Sequence, residues 1–320
     1  MKKYIKLLGI AFSIAPLFHA AAMAAEFPSR PVSLIVPWSP GGSVDMTARK
    51  LGEAMAQEGI QVVVENVPGA SGTIGLRKVA MAAPDGYTLG LATTSLMGAI
   101  SQKITPLSTK DFKPLAQTTA EQEILLVPAK SSIKTIEDFV ALMKTKSNGV
   151  SFGTPGAFTV NHVYGALLGQ AVGKDLIHIA YGGGAKVLVD LAGGQIDAGI
   201  LKPSEAKALI DGGQVRPIGA FSTVRSEIYP DVPTFQEKGI DLFAHGSLPL
   251  MSYIVAPKGT PDDVANKLVA ALAKAMRSDG YTAFTKEYGM TGQGMTGSDL
   301  SNTIEEIQKT YDAILPNVKE

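Results

Sequence analysis

Val32-Ser33-Leu34-Ile35-Val36-Pro37-Trp38-Ser39-Pro40-Gly41-Gly42-Ser43-Val44-Asp45 runs from an apolar segment through a proline- and glycine-rich turn into a helical pattern. The run of Val, Leu and Ile, stopped by Pro and Gly, reads as a buried strand and its exit turn. A helix is expected to open at Asp45 and to continue through Met46, Ala48, Arg49 and Leu51 to Met55. A strand follows over 61–65, then a second glycine-rich turn over 66–72, a helix over 74–82 and a strand over 85–91. Strand, helix, strand, helix, strand in that order signals α/β architecture.

The same plan restarts at Val150. Val150-Ser151-Phe152-Gly153 is a strand, Thr154-Pro155-Gly156-Ala157-Phe158-Thr159 a turn, and Val160-Asn161 the start of a helix. A strand over 175–179, the turn Tyr181-Gly182-Gly183-Gly184, a helix over 186–191 and a strand over 195–200 complete the copy. Between the copies, Glu121 to Val127 reads as a strand that ends one half, and 247–255 as a strand that returns the chain before a patterned helix over 262–276. Two lobes joined by two crossover strands, with a cleft between them, follow from that path. The expected bounds are 26–126 with 248–320 for the first lobe and 127–247 for the second, the last helix packing back across the second.

Composition narrows the function. The 320 residues carry 29 Lys+Arg against 29 Asp+Glu, are 45% hydrophobic and include no Cys. A net charge near zero without a basic run argues against nucleic acid or an anionic membrane as partner. Without Cys there is no disulfide, thiolate nucleophile or cysteine zinc site. Lys2, Lys3 and Lys6 precede an apolar stretch over 7–18 and Ala22-Met23-Ala24, which is the pattern of a secretory leader cleaved near Ala24 or Ala25. Its loss would leave the exported chain mildly acidic, and no later run is long and apolar enough to anchor it.

A glycine-rich turn that opens a helix presents unpaired N–H groups at the positive end of the helix dipole. Two such turns, Gly41-Gly42-Ser43 and Gly156-Ala157-Phe158, are expected to face each other and clamp a carboxylate, with Ser39, Ser43, Ser71, Thr154 and Thr159 adding hydroxyl donors. Asp45 and Asn161 are expected at the helix starts as N-caps, which a neighbouring anion does not exclude. Trp38, Phe158 and Tyr181 are flat candidates for cleft walls or for packing. Asp197, in a short apolar strand, needs a partner if buried and is either a ligand contact or paired to backbone. His162 lies beside Asn161, but the histidines 162, 178 and 245 have no metal-ligand spacing, so no metal site is expected. Gly149-Val150-Ser151-Phe152-Gly153 matches a nucleophile elbow in letters only, because Ser151 falls inside a strand. Gly292 to Gly297 matches a dinucleotide fingerprint, but no apolar strand leads into it.

Several motifs, in order, resemble the extracytoplasmic solute receptors of tripartite tricarboxylate transporters, the Bug family. They are Phe27-Pro28-Ser29-Arg30-Pro31-Val32, Val36 to Asp45, Val63 to Gly72, Ala83-Pro84-Asp85-Gly86-Tyr87-Thr88-Leu89, Gly193 to Asp197, Tyr229 to Thr234 and Ala256 to Pro261. The resemblance implies a two-lobed, type II-like periplasmic binding protein, monomeric, without cofactor and not an enzyme. It would capture a small organic acid and deliver it to integral-membrane transporter subunits. It places the ligand carboxylate between Ser39–Asp45 and Thr154–His162, with Ser71, Gly72, Thr93, Thr94 and Ser95 lining the first lobe and Asp197 meeting the ligand's far end. The chain departs from the family pattern in the second loop, where Phe158 and Val160 suggest an apolar or aromatic ligand body. The rival expectations are a sensing role for the same loaded lobes and a secreted hydrolase built on Ser151.

Overall fold

A computed structural model describes residues 27–292 and 294–318; the leader expected over 1–25 lies outside the described residues. The chain builds β1 (Val32–Val36), α1 (Ser43–Gln57), β2 (Val62–Asn66), α2 (Thr73–Ala80), β3 (Thr88–Thr93), α3 (Ser95–Ser101) and β4 (Phe112–Glu121). It continues with β5 (Glu123–Pro128), α4 (Ile136–Thr145), β6 (Ser151–Thr154), α5 (Val160–Val172), β7 (Ile177–Ala180), α6 (Gly184–Ala192), β8 (Ala198–Leu201), α7 (Pro203–Asp211) and β9 (Val215–Phe221). It ends with β10 (Leu250–Pro257), α8 (Asp262–Ala275), α9 (Asp279–Glu287) and α10 (Gly297–Ile314).

Two five-stranded sheets result, ordered β2-β1-β3-β10-β4 and β7-β6-β8-β5-β9. In each, a parallel trio is followed by an antiparallel fourth strand, β10 or β5. The two copies of the sequence plan are therefore two copies of one topology. β1 sits between two parallel neighbours, which is why Leu34, Ile35 and Val36 are all buried instead of alternating.

The change of sheet falls at Gln122. Glu123–Pro128 pairs with β8 and β9, so the strand assigned from sequence to the end of the first lobe, through residue 126, belongs to the second sheet. The last helix also departs from expectation. Leu300, Ile304, Ile307, Tyr311 and Ile314 form one buried stripe at helical spacing, and α10 lays it on α3 and β4 of the first lobe instead of across the second. The largest apolar cluster is continuous between the lobes, joining Leu96 and Met97 to Phe158, Val160 and Tyr164 with Tyr311 among them.

Candidate ligand-binding site

The turns at the carboxyl ends of the parallel strands, where open α/β sheets hold ligands, converge between the lobes. They surround a narrow space of about 30 Å³, lined by Trp38, Ser39, Gly42, Val44, Thr93, Ser95 and Leu250 from the first lobe and by Pro155, Asn161, Gly183, Gly184, Ala185, Lys202 and Glu205 from the second. The lobes are closed over this space. Ser39 Oγ donates to the Gly182 carbonyl at 3.1 Å and Ser71 Oγ to the Ala157 carbonyl at 2.9 Å. The Ser43 N–H and Oγ both donate to Glu205 Oε1 at 3.4 Å.

Of the residues expected at the site, Trp38, Ser39, Gly42, Thr93, Ser95 and Asn161 line the cavity. The loops are paired differently from expectation. Gly42 and Ser43 face Glu205 and Ser39 faces the turn before α6, whereas Gly156 and Ala157 face Ser71. Gly156, at φ +123°, and Ala157 therefore fasten the lobes instead of meeting the first turn.

Several expected ligand contacts are committed to structure. α1 opens at Ser43 with Gly42 as N-cap, two residues before the expected start. Asp45 instead accepts from the Gly41 N–H at 3.0 Å, from Arg49 at 3.0 Å and from Asn66 Nδ2 at 2.9 Å. Burial alone would raise its carboxyl, but these bonds outweigh it and hold the carboxyl below its usual range. Asp45 thus ties the first turn to β2. Gly72 packs on Pro37 and Trp38, and Thr94 Oγ1 accepts from the Met251 N–H. In the second loop Thr159, not Asn161, is the N-cap of α5, and Thr154 Oγ1 is shared between the Gly156 carbonyl and His178 Nε2. Phe158 turns into the core with a positive φ, and its N–H donates to His162 Nδ1 at 3.0 Å.

Phe158 and Val160 are both buried away from the cavity, so they do not supply the apolar side expected of them. Trp38, Val44, Pro155 and Leu250 do. Tyr181 sends its hydroxyl to Asp190 at 2.7 Å and packs its ring on the second-lobe core. Asp197 precedes β8, at the strand end opposite the cleft. It accepts from Lys146 Nζ at 2.6 Å and from the Ser151 N–H and Oγ at 2.8 Å, which is the second of its two expectations, pairing to backbone. Ser151 itself lies in β6, with its hydroxyl donating to Asp197 and accepting from the Asp197 N–H at 3.0 Å.

His162 is buried and stacks on His178, ring centroids 3.7 Å apart at 9°. Burial, helped by the neighbouring His162, holds the His178 imidazole down at about 3. The unfolded chain then binds the proton more readily between that value and the ordinary 6.5, so stability is lost as pH falls through this window. Relative to His178→Gln, the wild type is expected to lose up to ~1.4 kcal/mol per pH unit below the ordinary histidine range. Urea midpoints at a series of pH values measure this; a constant gap between the two proteins would reject it.

The cavity's charged residues were missed. Lys202 and Glu205 follow β8 in one more strand-to-helix turn, and the rule that located the other turns points to this one as well. Lys202 Nζ lies 3.4 Å from Glu121 Oε1, both side chains being almost wholly buried. Glu123 accepts from Asn161 Nδ2 at 2.7 Å. Burial raises Glu123 well above the usual carboxylate range and raises Glu205 despite the opposing charge of Lys202. Burial would lower Lys202, but Glu121, Glu205 and Glu123 together outweigh it and raise it.

Comparison with known proteins agrees with this architecture. The sequence profile of the tripartite tricarboxylate transporter family receptor matches residues 47–319. A UPF0065 protein from the gbd 5' region of Cupriavidus necator is 31% identical, over 98% of this chain and 96% of that protein. The structure of the periplasmic binding protein BugD superposes with a TM-score of 0.83 at 28% identity, covering 91% of this chain and 98% of that one. MatC of Rhodopseudomonas palustris with bound malate superposes with a TM-score of 0.81 at 26% identity, covering 90% and 100%. Among the described residues no helix is long and apolar enough to cross a membrane.

Proposed function

Because the chain belongs to the tripartite tricarboxylate transporter receptor family, we propose that it is a periplasmic solute receptor that closes its lobes over one small organic acid and presents it to the integral-membrane subunits of such a transporter. The carrying observation is the cavity between the lobes, lined by turns from both and latched by Ser39 to Gly182 and Ser71 to Ala157. A solute that adds contacts to both sides favours the closed form over the open one by its differential affinity, so binding and closure are one event.

Among the described residues no arginine lines the space. The acid's carboxylate is assigned to neutral donors: the Trp38 Nε1–H, which is buried without a partner, and the hydroxyls of Thr93 and Ser95. Its body rests on Trp38, Val44, Pro155 and Leu250. Malate bound to MatC, a relative at 26% identity, supports an acid as ligand. Thermal-shift measurement against a panel of mono- and dicarboxylic acids tests the reading. At least one acid is expected to raise the melting temperature, with a contraction of the radius of gyration in solution scattering. A flat response across the panel would remove the acid from the proposal.

A further inference from the structure

Glu205 occupies a place that an acid's carboxylate would otherwise take. Its Oε1 sits at the N-terminus of the 15-residue helix α1, accepting from the Ser43 N–H and Oγ. Its Oε2 is shut off from solvent without a hydrogen-bond partner and lies tight against Gly184, where a methyl group on that residue would collide with it. Glu205 thereby spans the helix starts of both lobes and lines the cavity itself.

The surrounding charges do not balance. Among the described residues that line the space, Lys202 is the only basic one, and it is already paired with Glu121. Glu121 is 7% and Glu123 1% exposed, and both carry carboxylate oxygens that accept no hydrogen bond. Three carboxyls share one ammonium, so at least one must stay protonated or meet a cation that the protein does not supply.

We infer that Glu205 is a specificity residue that receives a protonated nitrogen of the solute, so that the receptor selects amino-bearing acids over di- and tricarboxylates. The inference rests on the receptor reading above. The solute's carboxylate goes to the Trp38, Thr93 and Ser95 side and its ammonium to Glu205 Oε2. A second carboxylate at that end would face Glu205 at close range, a like-charge juxtaposition that interfaces use for rejection. Burial acts in the same direction: it raises the Glu205 carboxyl, and an ammonium beside it restores the ionised form and gains the pair.

Isothermal titration of the full chain with three acids of one chain length, pentanoate, 5-aminopentanoate and glutarate, isolates the end group. Wild type is expected to bind 5-aminopentanoate about tenfold or more tightly than glutarate. Glu205→Gln is expected to bring that ratio to about one or to invert it. Gly184→Ala keeps the charge but pushes the carboxylate out of place, and should reduce the ratio in the same sense. Preference for glutarate in wild type, equal binding of all three acids, or a ratio that survives both variants would overturn the inference and leave the acid receptor standing. No heat with any of the three would overturn the inference, and the acid reading falls with it only if the thermal-shift panel is flat as well.

Discussion

Lys202→Met is expected to lower stability by about 3–5 kcal/mol, because it removes the one cation from a buried group that keeps its acids. Lys202 and Glu121 are 6% and 2% exposed at their side chains, Glu123 lies beside them, and Glu205 acts on the same ammonium. Taking out the ammonium leaves these carboxyls facing one another in a dry site, and they must ionise against repulsion or hold protons against the solvent. The folded carboxyls then titrate higher than the unfolded ones. Such a shift costs nothing at acid pH and grows as pH rises past the ordinary carboxylate range, so the loss should be larger in neutral than in acid buffer. Urea midpoints of Lys202→Met, and of the same change combined with Glu121→Leu, check the account. The second substitution should recover part of the loss; a single-variant loss below ~1 kcal/mol would show that Lys202 holds no ionised carboxylate in the native protein.

Gly98→Ala is expected to weaken solute binding while leaving each lobe folded. Gly98 lies inside α3, where alanine is the better helix former by about 0.5–1 kcal/mol. In the closed form, however, its new methyl would be driven into the Phe158 carbonyl of the other lobe and would stand 3.0 Å from Tyr311 Cε1. A backbone carbonyl cannot swing aside, so the lobes must part or the loop must deform. Overpacking of this kind costs about 1–3 kcal/mol and occasionally more, which corresponds to a loss of roughly fivefold to more than a hundredfold in affinity for whichever acid stabilises the wild type. Titration together with the radius of gyration in saturating acid separates the outcomes. An unchanged affinity with unchanged contraction would mean that the closed contact at Gly98 is not needed for binding.

Much of this was written in the chain. The strand-turn-helix units at Val32 and Val150 announced the two parallel trios, since a run such as Leu34-Ile35-Val36 is apolar on both faces only when helices cover both. The glycine-rich turns announced where the cleft lies. The change of sheet was hidden because Glu121, Gln122 and Glu123 continue one extended segment; only the partner differs, β10 before Gln122 and β9 with β8 after it, and pairing partners leave no local trace. Asp197 was misplaced by attending to residue type before direction. It precedes β8 and so lies at the amino end of that strand, whereas Lys202 and Glu205 follow β8 and reach the cleft. Of the two expectations for Phe158, wall of the cleft or packing, the structure has packing, and the positive φ at that residue is a backbone turn that the letters around it do not encode.

The order in which the strands are used has a consequence in time. All five strands of the second sheet lie within 123–221, so that sheet has all its strands once Phe221 is available, and the segment that packs on it, with Phe235, Leu242 and Leu248, follows directly. The first sheet does not: β4 joins it through β10, and β10 comes from residues 250–257. A chain emerging from its N-terminus, whether from a ribosome or through a membrane pore, therefore finishes its second lobe first and holds the first lobe as two unjoined pieces until near the end of its passage. The piece that completes it also builds the wall of the cleft at Leu250, so the binding site and the first lobe mature in the same late event.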